Sequence, residues 1–239
     1  KPLFSHSVRH ELMFLLCGVC GGSVYFIAEN MAVVYTLVSN VSLIVTTSPI
    51  FTALLVSLLY KSERISRGMM IGSFVALLGV ACVIFNSSVV VEVNPLGDML
   101  ALLAAICWAV YSVVLRPLSA VYSAWFVSRK TFFYGVLTAL PFLAMEEQTA
   151  PLSVLLEPEV ALNLLFLGLF ASMIAYLLWG QTVHQLGAVK AGNYLYFAPV
   201  VTLILCALLL HEPVSVVGYI GCALILFGVI LSEKIGKRR

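Results

Sequence analysis

Charge is what this sequence has least of. Only 10% of its 239 residues are Asp, Glu, Lys or Arg, against about 25% in an ordinary soluble domain. The hydrophobic share is 62% and the mean hydropathy +1.08. So few charges exclude a soluble globular domain and place the chain in a bilayer. A net charge of +2 says little about partners. Chemical signatures are short as well. No Gly-x-x-x-x-Gly-Lys loop cradles a phosphate, which argues against ATP as an energy source. No His-Glu-x-x-His occurs, and the four histidines sit at helix ends or tails. Gly97-Asp98 lacks the preceding glycine and the second membrane aspartate of an aspartyl protease. Cys17-Gly18-Val19-Cys20 has the spacing of a redox or zinc pair, but it has no second pair and no nearby His, so small-residue packing is the better reading. Cys82, Cys107, Cys206 and Cys222 are scattered singly. Nothing implies a cofactor, a metal or a nucleic-acid partner.

Long apolar runs are what the chain has in abundance. Eight are of roughly membrane-spanning length: Leu12–Ala28, Thr36–Tyr60, Gly68–Phe85, Leu96–Leu115, Ser123–Met145, Val160–Gly180, Ala191–Leu210 and Val214–Leu231. Each is too uniformly apolar for the alternating strands of a membrane barrel, so the expected fold class is an all-α, multi-span helical bundle. The loops are short and polar, leaving no room for a soluble domain or a linker. All 13 Lys and Arg fall on one alternate set of loops, counting Arg129 and Lys130 with the nearer helix end. The other set holds Glu29, Glu92, Asp98, Glu146, Glu147, Glu157, Glu159 and Glu212. This split places both termini on the cytoplasmic side. Asn86-Ser87-Ser88 is a glycosylation sequon on the outer side, too common by chance to name a source.

The stretch from Thr36 to Arg67 has a grammar that returns later. It reads as one apolar helix holding Asn40 and Pro49, a polar break around Glu63, and a second apolar helix from Gly68. Pro199, the break at His211-Glu212-Pro213 and a Gly-rich helix repeat it. Pro49 and Pro199 are 150 residues apart; Glu63 and Glu212, Ser66 and Ser215, Gly72 and Gly221, and Gly79 and Gly228 are 149 apart; Tyr25 and Tyr176, and Asn30 and Gln181, are 151 apart. The break at Glu63 is ringed by Lys61, Arg64 and Arg67, whereas the break at Glu212 has no basic neighbour. The two copies are therefore expected to run in opposite directions through the membrane, residues 1–91 forming one with three spans and 92–239 the other with five. Such inverted repeats are the architecture of secondary transporters. The three-plus-five split leads to the expectation of a further helical hairpin before Lys1, and of small-residue surface around Gly18, Gly21 and Gly22 left open for it.

Several stretches resemble the EamA-type permeases of the drug/metabolite transporter superfamily. They are Tyr25–Ala32, Asn40-Val41-Ser42, Ser48-Pro49 and Glu63–Ser66 followed by Gly72 and Gly79. In the second half they are Trp108–Ser112, Arg116–Ser119, Ala198-Pro199, Glu212 and Gly221–Gly228. The resemblance implies ten helices in two inverted five-helix halves around a central cavity, and alternating-access transport or export of small metabolites. An intramembrane enzyme or a receptor-like polytopic protein is the alternative. The implied partners are a small-molecule solute and the bilayer, with monomer and homodimer both open.

Helical spacing nominates the site. Trp108, Tyr111, Ser112 and Leu115 share one face of the fourth run; Ser172, Tyr176, Trp179 and Val183 share one face of the sixth. Aromatic stripes are more often packing or interface belt, but these faces suit an amphipathic, amino-acid-like solute. Asn40, an amide at membrane depth, needs a partner or water, and Asn193 joins it as a candidate. Glu29 and Asn30 are expected at the outer mouth, with Glu29 taking the proton of a coupled cycle. Of the adjacent cations, about 100° apart on a helix, Arg129 is expected to face the cavity and hold a substrate carboxylate, with Phe133 and Tyr134 as an aromatic wall beyond it, while Lys130 snorkels to the surface.

Overall fold

The computed structural model describes residues 5, 7–60, 66–84, 94–145, 151–209 and 215–236. Every one of the eight apolar runs carries helix, and no strand occurs among the described residues. In hydrocarbon each backbone N–H and C=O must be satisfied internally, which a helix does within its own segment.

Helix α1 (Val8–Gly18) is capped by Ser7, whose hydroxyl accepts the His10 N–H at 3.2 Å. It passes through a π-helical turn, Val19–Ser23, into α2 (Val24–Tyr35), giving 28 continuous residues. The helix thus runs on to Tyr35, and Glu29 and Asn30 lie within it rather than at its end, as the sequence run had suggested. Next come α3 (Val38–Val45) and α4 (Ser48–Leu59). The expected single helix breaks at Thr46–Thr47, because Pro49 has no N–H and fits only the first turn of a new helix. The Thr46 and Thr47 hydroxyls donate to the carbonyls of Ser42 (2.6 Å) and Ile44 (2.5 Å), beside the backbone N–H groups of the same two threonines.

Helix α5 (Arg67–Ile84) precedes α6 (Pro95–Val121), which starts on Asn94: its side chain accepts from the Leu96 and Gly97 N–H groups at 3.1 and 3.2 Å. After α7 (Ala124–Met145) and the short α8 (Leu152–Leu155), a second long stretch forms. It comprises α9 (Pro158–Phe166), a π-helical segment Leu167–Ile174 and α10 (Ala175–Leu186), 29 residues together. Gly187, at φ +80°, reverses the chain in a conformation that costs glycine least. Beyond it lie α11 (Ala188–Asn193), a 3₁₀ turn Tyr194–Phe197, α12 (Ala198–Leu209) and α13 (Val216–Gly236). The irregularities come in matched places. Breaks precede both Pro49 and Pro199, and π-helical turns precede both Tyr25 and Tyr176.

Among the described residues, four stretches are long and apolar enough to cross a bilayer: Val8–Tyr35, Asn40–Leu59, Pro95–Val121 and Pro158–Leu186. Gly68–Val83 and Val216–Ser232 are apolar but shorter. The polar breaks at Glu63 and Glu212 and the sequon at Asn86 lie outside the described residues.

Two glycine contacts hold the bundle. In α5 and α13, a Cβ added to Gly72 would stand 2.5 Å from the Gly228 carbonyl, and one on Gly228 2.6 Å from the Gly72 carbonyl. Gly79 and Gly221 repeat the reciprocity at 2.6 and 2.7 Å. Low residues on one helix therefore meet high residues on the other, so the pair is antiparallel. Only hydrogen at these positions permits so close an approach. In α1 and α7, Gly18 lies against Tyr134 and Gly135, and Gly22 against Gly135. Gly21 faces the Tyr111 ring. These glycines are buried and not the open surface expected of them: α7 and α6 already fill it.

Candidate functional site

Trp108 is the midpoint residue of α6 and the hub of an aromatic cluster. Ring centroids lie 5.2 Å away for Tyr25, 5.4 Å for Tyr111, 5.9 Å for Tyr176 and 5.5 Å for Trp179. Tyr111 and Tyr176 are 5.6 Å apart, and Phe132 of α7 closes on Tyr176 at 4.9 Å. Their planes are tilted or T-shaped, the arrangement that ring quadrupoles favour. Besides α7 with Phe132, three elements supply the five rings centred on Trp108. The α6 face presents Trp108 and Tyr111 one turn apart, α10 presents Tyr176 and Trp179, and α2 contributes Tyr25.

The polar tips of these rings differ. Tyr176 donates its hydroxyl hydrogen bond to the Gly21 carbonyl, inside the first π-helical turn. Tyr25 donates to Glu29 Oε1 at 3.1 Å, one turn along its own helix. The indole Nε1 atoms of Trp108 and Trp179 are buried without an acceptor. A buried donor with no partner is uncommon and costs roughly 1–3 kcal/mol. The cluster therefore combines aromatic faces, one half-buried carboxylate and two unused N–H donors.

The structure sorts the other nominated residues differently. Asn30 is exposed, on the turn facing away from the cluster. Asn40 is 7% exposed and donates to Thr36 Oγ1 at 3.3 Å; the Thr36 hydroxyl in turn donates to Asp98 at 3.1 Å. That chain joins the start of α3 to the start of α6, apart from the aromatic rings. Asn193 is fully buried between α5 and α13. Its amide donates to Ser232 at 2.7 Å, and its carbonyl oxygen accepts from Ser73 at 3.4 Å. It belongs to a packing junction with Tyr196, not to the ring cluster.

The cation pair reverses the expectation. Arg129 is exposed, its guanidinium 4.9 Å from the Phe126 ring centre. Lys130 is the inward residue, 5% exposed and paired with Glu11 of α1. Tyr134 donates to the same Glu11 oxygen, and the Ser5 N–H reaches the other at 3.0 Å. Phe133, expected beside Tyr134 in a wall, is 58% exposed. The 100° step between neighbours turns one cation out and one in, and the Glu11 carboxylate stands on Lys130's side. Glu11 was missed because a lone acid near a run's start looks like a solvated end. Tyr25 was noted only as the repeat partner of Tyr176; that pairing was itself the signal.

A hollow of about 350 Å³ lies between α4 and α5, walled by Ile50, Ala53, Leu54, Met69, Met70, Ile71, Phe74 and Ser73. It is apolar and shares no residue with the ring cluster.

Comparisons with known proteins agree with this architecture. A model of the EamA-like transporter family matches residues 1–85 and 95–233. The chain is 29% identical over 232 residues to a probable terminal-alkyne amino-acid exporter of Streptantibioticus cattleyicolor, covering 95% of this chain and 75% of the relative. It is 24% identical over 197 residues to a probable amino-acid metabolite efflux pump of Escherichia coli, covering 80% and 66%. A solved crystal structure superimposes with a TM-score of 0.79 at 21% identity, over 96% of this chain and 79% of that one. That likeness is of fold.

Proposed function

Because the chain belongs to the EamA-like transporter family, we propose that it is an exporter of amino-acid-like metabolites whose solute binds at the Trp108 cluster. The observation that carries the reading is the coincidence there of five rings, the Glu29 carboxylate and two indole N–H groups without acceptors. Aromatic faces beside a carboxylate suit a substrate ammonium group, and indole N–H donors suit its carboxylate. The names of the exporter and efflux-pump relatives point the same way. Of the residues nominated from sequence, Trp108, Tyr111, Tyr176 and Trp179 form the wall; Glu29 stands at its rim.

The reading includes two inverted halves working by alternating access, with both termini in the cytoplasm and the chain in the cytoplasmic membrane. Supporting it are the segregation of all 13 basic residues, the reciprocal glycine contacts of α5 and α13, and the matched interruptions of the spanning helices. Interrupted helices in corresponding positions of two halves are where transporters place their sites.

The test is efflux of radiolabelled amino acids from cells or proteoliposomes carrying the full-length protein. Trp108→Phe keeps a ring but removes the N–H, and should lower apparent affinity by roughly tenfold, the weight of one hydrogen bond to a charged group. Unchanged efflux in that variant would move the binding site elsewhere.

A further inference from the structure

The two tyrosines that flank Trp108 occupy equivalent places in the repeat, yet their hydroxyls are bonded differently. Tyr25 and Tyr176 are 151 residues apart, and the same offset carries Gly21 to Ser172. Gly21 lies in the π-helical turn Val19–Ser23, and Ser172 lies in the π-helical segment Leu167–Ile174. Each tyrosine follows its own π-helical segment by less than a turn. A π-helical stretch widens the backbone ring to i→i+5, so the Val24 N–H reaches back to Val19, and the Ala175 N–H to Phe170 while also touching the Ser172 carbonyl, which keeps its second lone pair. The carbonyls inside it can then accept from elsewhere. The Gly21 carbonyl does so: it takes the hydroxyl of Tyr176, from the other half of the chain. The equivalent cross-half bond, from Tyr25 to the Ser172 carbonyl, is replaced here by a bond within one helix, from Tyr25 to Glu29 at 3.1 Å.

We infer that Tyr25 and Tyr176 are positioning residues that exchange these roles during transport. In the state seen here Tyr176 ties the second half to the first π-helical turn. In the oppositely facing state Tyr25 ties the first half to the second π-helical segment, and Tyr176 releases Gly21. The physical reason is pseudo-symmetry. Where two copies are related by an axis in the membrane plane, exchanging the conformations of the copies turns an outward-facing molecule into an inward-facing one. An asymmetric pair of bonds on symmetric residues is then the mark of one state, and its mirror the mark of the other. Burial follows the bond. Cys20, Gly21, Gly22 and Ser23 are buried, whereas in Leu167–Ile174 only Ser172 is partly sheltered and the rest are exposed. Trp108 touches both tyrosines, so a solute entering its cluster would bear on the exchange directly.

This inference rests on the two-halved transporter reading, but its test needs no substrate. In full-length protein with the six cysteines of this sequence, and any outside it, replaced by serine, spin-label pairs are placed at the two ends of the helices concerned. Val8 with Gln185 reports one end, and Val34 with Glu159 the other; all four positions are exposed. Distance distributions are read by double electron–electron resonance. Tyr176→Phe removes the cross-half bond of the state seen here and should shift the ratio of the two populations about fivefold away from it, the weight of one hydrogen bond. Tyr25→Phe should shift the ratio by a similar factor in the opposite direction, because it removes the cross-half bond of the opposite state, while in the state seen here the partly exposed Glu29 re-bonds to water. The double variant should return close to the wild-type ratio. Both phenylalanines keep the ring stack on Trp108, so a merely structural role would weaken both states alike. Shifts of the same sign, or no shift in either variant, would overturn the exchange. An intact exchange in a protein that exports no amino acid would leave it standing and remove only the substrate reading.

Discussion

Lys130 and Arg129 differ by one position and by opposite fates. Lys130 is buried against Glu11, with Tyr134 donating to the same carboxylate. Removing one partner of a buried ion pair costs about 3–5 kcal/mol. Glu11→Gln strands the buried Lys130 and should fall near the middle of that range, whereas Lys130→Met leaves Glu11, 23% exposed and still bonded to Tyr134 and Ser5, and should fall near its bottom, each measured as a lower unfolding midpoint in detergent. Arg129→Gln, by contrast, should change stability by less than about 0.5 kcal/mol, as surface substitutions do. A destabilised Arg129→Gln beside an unchanged Lys130→Met would show that the two side chains had been assigned the wrong way round. At the same scale, Trp108→Ala removes four ring neighbours and opens a cavity. A loss of about 3–5 kcal/mol is expected, and Trp108→Phe should recover most of it while remaining deficient in efflux.

The helix pairs differ in how much room their glycines leave. Gly228→Ala would place a methyl 2.4 Å from the Ala76 nitrogen and 2.6 Å from the Gly72 carbonyl. Backbone cannot yield as a flexible side chain can, so α5 and α13 must separate. The expected cost is about 1–3 kcal/mol, the usual price of overpacking, read as a fall in the thermal midpoint. Gly79→Ala, 2.6 Å from the Gly221 carbonyl, should behave alike. Two glycines serve as controls. Nothing lies within 4 Å of Gly168, and the nearest neighbour of Gly192 is Pro49 at 3.4 Å. Alanine at Gly168 should be silent, and at Gly192 nearly so. If all four substitutions cost the same, helix propensity and not contact would be the cause.

Over the whole molecule, the placement of charge and the packing of small residues make separate claims. A reporter fused after Arg239 should be active only in its cytoplasmic form, and one inserted between Glu157 and Pro158 only in its external form. The same signal at both positions would contradict the proposed topology. The ion pair and the glycine contact of α1 with α7 lie on one interface, as do the two glycine pairs of α5 with α13. Each pair is then expected to move as a unit, with change concentrated at the π-helical turns and the breaks before Pro49 and Pro199. Hydrogen exchange in the full-length protein should be fastest at Val19–Ser23 and Leu167–Ile174 among the spanning segments, and slow throughout α5 and α13.

Membrane residence, the helical class, the number of apolar runs and the aromatic faces of α6 and α10 were determined by the sequence alone. Each depends on local chemistry: apolar residues cannot leave hydrocarbon, backbone groups there must bond within the helix, and residues three and four apart share a face. The return of Tyr25, Gly72 and Gly79 at nearly constant spacing, on which the two-halved reading rests, is a feature of the sequence as well. The tertiary structure alone decided what depends on a second helix. It turned Lys130 inward because Glu11 stands opposite, a contact across 119 residues. It buried Gly18, Gly21 and Gly22 because α7 and Tyr111 come to meet them, and it drew Asn193 into a junction with Ser73 and Ser232. It also set the Tyr176 hydroxyl on Gly21 while leaving Tyr25 on Glu29. Spacing along one chain specifies which face a residue shares, but not which partner the fold brings to that face.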